Sequence, residues 1–194
     1  DGTYSNCSIT VSDKAANESN LLTISTFEVD STAATLVETT AIASSTYDST
    51  PDYTFVSSEA GTITYSGSCS SSTTSAIAGT NTITLNSLSD GTYSDCKITI
   101  TDSLGNAVTL NIGSFVIDTT APTVTSVSTN ANNQSSVAIT DNISVTFSKA
   151  MDTTSVTTNT SNTSCSGTLR VSSDNFSNCV QMSSSPSSSN SDKT

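Results

Sequence analysis

The sequence has no histidine and no tryptophan in 194 residues. Without histidine, the Ser-His and Cys-His arrangements that activate a nucleophile cannot be built. The many serines therefore have no evident base. Cations are scarce too: five Lys and Arg stand against 17 Asp and Glu, a net charge of −12. No basic patch exists to neutralise a phosphate backbone, which excludes nucleic-acid binding. An anionic membrane surface repels the chain for the same reason. No apolar run approaches the ~18 residues that span a bilayer, so no membrane insertion is expected within this sequence. Paired carboxylates can serve glycoside hydrolysis, but the acids here sit mostly in turns and junctions, which form no deep cleft. A non-catalytic protein is expected.

What remains is polar and thin. Only 33% of residues are hydrophobic and 11% charged, with Ser, Thr and Asn supplying most of the rest. Disordered chains combine low hydrophobicity with high charge and few β-branched residues. Here Val, Ile and Thr are abundant and alternate, the pattern of half-buried sheets.

The chain also repeats itself. "DGTYSNCSIT" begins at Asp1 and "DGTYSDCKIT" at Asp90. Cys7 matches Cys96, Asp13 matches Asp102 and Asn17 matches Asn106; after a one-residue slip, Phe27 matches Phe115 and Asp30 matches Asp118. A weaker echo relates "YTFVSSEAG" at Tyr53 to "VTFSKAMD" at Val145. Three units follow: residues 1–32 as the C-terminal part of a repeat, 33–119 as a complete one, and 120–194 as the N-terminal part of a third. "DTTAP" at Asp118 marks the junction, and its Pro122 fits a first strand or a linker. Either the sequence is a window on a longer array, or half-units of neighbouring chains complete each other.

In the complete unit the expected strands are 34–42, 52–58, 61–68, 80–88, 91–101 and 107–117. Tyr53 and Phe55 share a face, as do Ile63 with Tyr65, Ile83 with Leu85, and Cys96 with Ile98 and Ile100. Alternation breaks between Tyr93 and Cys96 and again between Ile112 and Phe115, near Gly113. A β-bulge at each place is expected to restore the inward direction. Short strands parted by Gly, Ser, Asn and Asp turns predict a sandwich.

"LSDGTYSDCKITITDSLGN" followed by "FVIDTTAP" resembles the bacterial immunoglobulin-like repeats found in tandem in large surface adhesins. "APTVTSVSTN…DNISVTFSKAMDTTSV" is similar to a related module of bacterial surface and S-layer-type proteins. The resemblance implies an all-β chain of tandem Ig-like β-sandwiches, secreted and at the bacterial cell surface. It also implies calcium near the junctions between repeats. The cysteines depart from the pattern, since most such repeats lack them.

Cys69 and Cys96 are the only cysteines of the complete unit, which predicts a disulfide. Closing that loop of about 28 residues stabilises the fold by ~3–4 kcal/mol on a chain-entropy account. Cys165 and Cys179 are expected to pair in the third unit, for about 3 kcal/mol. Cys7 is expected to pair with a partner outside the sequence. Such bridges imply an oxidising compartment; free buried thiols are the alternative. Zinc fits poorly, since histidine is absent and the C-x₂₋₄-C spacing is too.

No cofactor is required by anything in the sequence, but calcium has candidates. Asp102 and Asn106 lie in the turn "DSLGN", Asp118 in "DTTAP" and Asp90 in "DGTY"; Asp13, Asn17 and Asp30 are the matching positions in the first copy. Oxygen-only donors suit hard Ca²⁺. The same residues also initiate turns by bonding their own backbone. The expected function is a structural stalk or extender whose partners are neighbouring repeats or copies of itself. The alternatives are a filament subunit completed by strand addition between chains, and a glycan- or protein-binding adhesion module.

Overall fold

The computed structural model describes residues 1–129 and 141–194, and no helix occurs among them. None is therefore long and apolar enough to cross a membrane. The chain divides into two compact units, Asp1–Thr120 and Ala121–Thr194.

The first unit opens with a long hairpin broken into two pairs. β1 (Gly2–Tyr4) pairs with β4 (Phe27–Val29), and β2 (Ser8–Ile9) with β3 (Leu22–Thr23), all antiparallel. Next come β5 (Leu36–Thr40), β6 (Ser45–Thr46), β7 (Asp52–Ser57), β8 (Gly61–Ser66), β9 (Ser75–Ala76) and β10 (Gly79–Thr84). The unit ends with β11 (Gly91–Tyr93), β12 (Lys97–Thr101), β13 (Ala107–Asn111) and β14 (Phe115–Ile117). Three sheets result, ordered β10-β7-β5, β13-β12-β8-β9 and β11-β14-β6.

These sheets share one core. Tyr53 and Phe55 of β7, Ile63 of β8, Ile83 of β10 and Ile98 and Ile100 of β12 are all buried. Their spacing of two puts each pair on one face of its strand, and Thr and Asn at the intervening positions face outward. Leu85, Ile112, Phe115 and Ile117 complete the cluster, with Tyr65 packed at its margin. The fold is an all-β sandwich of the Ig-like kind.

The expected strands 91–101 and 107–117 are each two strands, and the bulges expected within them are absent. Tyr93 faces Phe115, and Lys97 faces Asn111. Four residues forward on one strand correspond to four back on the other, so no residue has been inserted. A bulge would have shifted that register by one. Both strands instead bend together, leaving the sheet of β12 for the sheet of β14, while the Ile112 amide still donates to the Cys96 carbonyl at 2.9 Å. The bend turns Cys96, Ile112 and Phe115 inward, and each is buried. A bulge-like irregularity does occur elsewhere, in the pairing of β5 with β7 between Glu38 and Thr40.

Cys69 and Cys96 are bonded, with Cα atoms 5.2 Å apart. The loop that carries Cys69 lies hard against its partner strand. A Cβ on Gly67 would stand 2.1 Å from the Asp95 carbonyl oxygen, at a φ of +79° that favours glycine. The Asp95 carboxylate accepts from the Ser68 amide at 3.1 Å and the Ser68 hydroxyl at 3.0 Å.

In the second unit, β15 (Val124–Thr129) pairs antiparallel with β16 (Ile143–Phe147), and Pro122 precedes β15. Positions 130–140 of the third expected repeat lie outside the described residues. Further along, Thr158 bridges Gly167 and Leu169, and Cys165 is bonded to Cys179. Among the described residues of this unit, Asn159 and Cys179 alone are fully buried.

Candidate functional site

The sequence repeat is also a repeat of contacts. Tyr4 stacks on Phe27 with ring centroids 5.3 Å apart, as Tyr93 stacks on Phe115 at 5.4 Å. The Asp1 carboxylate accepts from the Ser31 amide and from the hydroxyls of Ser31 and Thr32. Asp90 accepts from the Thr119 amide and from the hydroxyls of Thr119 and Thr120 in the same way. Asp30 and Asp118 each accept from the amide two residues on, Thr32 and Thr120. Three of the acids proposed from sequence, Asp30, Asp90 and Asp118, therefore brace hairpin ends, together with Asp1.

The turns at their far ends match as well. Asp102 Oδ1 accepts from the Leu104 and Asn106 amides, and Oδ2 from Asn106 Nδ2 at 2.8 Å. Asp13 does the same with Ala15 and Asn17. The residue before each Asn is left-handed, Gly105 in one copy and Ala16, at φ 66°, in the other. The hydrogen bond from the Asn side chain is the largest influence holding each carboxyl below its ordinary range. A third such turn joins Asp174 to Asn178 through the backbone amide at 2.9 Å and the side chain at 2.8 Å. Hydrogen bonds from the Asn178 amide, the Asn178 side chain and Ser172 lower Asp174 to about 2. The D-x-x-x-N spacing at 174–178 is the sequence signal for this turn, the same as at 13–17 and 102–106.

One of these turns takes part in something larger. Asn106 Nδ2, besides holding Asp102, donates to the Asp30 carbonyl at 3.0 Å. The end of the first hairpin is thus tied to the far turn of the next. Glu59, in the turn between β7 and β8, joins them: carboxylate oxygens of Asp30, Glu59 and Asp102 all lie within 4.8 Å of one another. Three segments from two consecutive repeats meet there. The donors are hard oxygens of the class that calcium takes, so the residues fit the ion. Of the seven positions proposed from sequence, Asp30 and Asp102 enter this group and Asn106 braces it. Asp13, Asn17, Asp90 and Asp118 lie outside it. Glu59 was missed, because nothing in "SSEAG" shows that its turn meets two residues of a different hairpin.

Residues 118–192 match the family model of a bacterial Ig-like domain. That segment is a bacterial Ig-like domain. It starts at Asp118, in "DTTAP", and includes β15, β16 and the Cys165–Cys179 bridge. Domains of this family are modules of bacterial surface proteins and are typically non-catalytic. No curated protein and no solved structure matches the chain.

Proposed function

We propose that the chain is a mechanical spacer, a run of Ig-like repeats that holds distance outside a bacterial cell. The observation that carries this reading is the tie between consecutive repeats, Asn106 to Asp30, made by residues that recur from copy to copy. In repeat arrays, stability is a sum of unit terms and neighbour terms, and that tie is a neighbour term. Under tension the Cys69–Cys96 bridge shields the segment it closes. The test is single-molecule extension of the full chain with and without reductant. The two cysteines are 27 residues apart, so at ~3.5 Å per residue reduction is expected to lengthen the unfolding step of this repeat by about 9 nm. Identical steps in both conditions, or a chain that extends with no resolved step, would sink the spacer.

Calcium at Asp30, Glu59 and Asp102 belongs to the same reading, as a clamp that stiffens the tie between repeats. Millimolar calcium is expected to raise the melting temperature of the Asp1–Thr120 unit, and Glu59→Gln to remove that rise while leaving the metal-free melt unchanged. A melt indifferent to calcium removes the ion and leaves the spacer standing.

A further inference from the structure

The complete repeat begins with a segment that crosses between its sheets, and the two halves of that segment are held differently. β5 lies along β7, yet of its five residues only Leu36 is half-buried, and Val37 is 59% exposed. Its pairing is interrupted between Glu38 and Thr40. Ahead of it, the buried Ala34 contributes only a methyl group. A segment with so few buried apolar contacts opens locally, at a free energy well below that of global unfolding.

β6 is shorter but better fastened. It runs parallel to β14, with Ser45 opposite Val116 and Thr46 opposite Ile117. The Val116 amide donates to the Ser44 carbonyl and the Asp118 amide to the Thr46 carbonyl, both at 3.0 Å. β14 itself is fixed in the core by Phe115 and Ile117, each 1% exposed. The chain is anchored again on either side of β6. Ile42 packs against the core, and the Ser49 and Pro51 carbonyls accept from the Leu88 and Leu85 amides. Tension entering from the first hairpin reaches β5 before β6, and it leaves the repeat through β14. Because β6 and β14 run the same way, β6 is drawn toward its start and β14 toward its end. Their bonds are therefore sheared together rather than opened one by one.

We propose that β5 is an extensible strap and that β6 is the clasp at which its release stops. Under load, residues 35–43 peel from β7 while β6 stays on β14 and the core stays folded. Those residues supply up to about 3 nm of length at ~3.5 Å per residue. On release β5 meets an unchanged β7 and pairs again, so the extension is reversible. The inference rests on the spacer reading and deepens it, by giving this repeat a compliance that precedes unfolding.

Two measurements on the full chain, without calcium, are the test. The Ser58 amide donates to the Thr35 carbonyl at 3.0 Å and so reports on β5. In native-state hydrogen exchange it is expected to exchange at least ~tenfold faster than the Val116 and Asp118 amides. Its rate should also be insensitive to low denaturant. Equal protection, or a shared dependence on denaturant, overturns the strap. In single-molecule extension, a reversible lengthening of up to about 3 nm is expected before the repeat unfolds. Val37→Pro removes a backbone donor two residues on from the Thr35 pairing. It is expected to abolish the lengthening at unchanged unfolding force. Val116→Pro removes the bond to Ser44 and is expected to lower the unfolding force while the lengthening persists. Unfolding with no prior lengthening, or Val37→Pro traces identical to those of the unsubstituted chain, overturns the strap and leaves the spacer standing. Failure of the spacer reads differently, as extension with no resolved unfolding step, and exchange at Ser58 still reports on β5.

Discussion

Phe115→Ala is expected to destabilise the Asp1–Thr120 unit by about 3–5 kcal/mol, whereas Phe27→Ala, the same residue in the other copy, costs about 1 kcal/mol or less in the monomer. The two positions share their strand, their opposite neighbour and their stacked tyrosine. They differ in burial. Phe115 is enclosed by the core of its own repeat, so truncation loses both transfer energy and packing and leaves a cavity. Phe27 keeps close to half its surface in water and loses chiefly its stacking on Tyr4, an interaction in the range of about 0.5–1.5 kcal/mol. Urea unfolding of both variants reads the difference directly. Equal losses would mean that the first hairpin is covered within this chain.

That contrast also shows where sequence reading works. Alternation at Tyr53 and Phe55, and at Ile98 and Ile100, exposes the inward face because a strand offers only two directions. The match of Cys7 to Cys96 identifies a copy, but a copy of a strand says nothing about what lies over it. Ile9 and Ile98 read alike and differ in burial by nearly half their surface. The bend at Tyr93–Cys96 was legible as an interruption and misread as a bulge. A spacing of three on one strand fits either account, and only the unchanged register of both strands separates them. β6, the two residues Ser45–Thr46 beside β14, could not have been found. Its pairing is parallel and its side chains carry no apolar pattern, so its strand character comes wholly from a tertiary neighbour. The Asp30, Glu59 and Asp102 group fails for a similar reason. Each residue has a local role in a turn or hairpin end, and their meeting depends on how one repeat rests on the next.

Replacing Cys69 and Cys96 together by alanine is expected to cost the Asp1–Thr120 unit about 3–4 kcal/mol, read as the shift in its urea midpoint at unchanged slope. Alanine is the right probe because both cysteines are buried, 4% and 1% exposed; serine would add buried hydroxyls with a penalty of their own. The bridge closes a loop containing β9, β10 and β11, and reduction frees all of it in the unfolded chain. The Cys165–Cys179 bridge closes a shorter loop, with a separation of 14 residues against 27. Chain entropy alone makes it weaker by about 0.5 kcal/mol. Its removal should nonetheless do more damage. In the first unit the Tyr53, Phe55, Ile98 and Phe115 cluster remains to hold the sheets together, and the Asp95–Ser68 bonds still fasten the loop. The second unit has no comparable buried cluster among its described residues, so the bridge supplies a larger share of its stability. Paired alanine substitutions should therefore leave the first unit folded with a lower midpoint and abolish the cooperative transition of the second unit. A second unit that unfolds cooperatively without its bridge would show instead that its core is already complete.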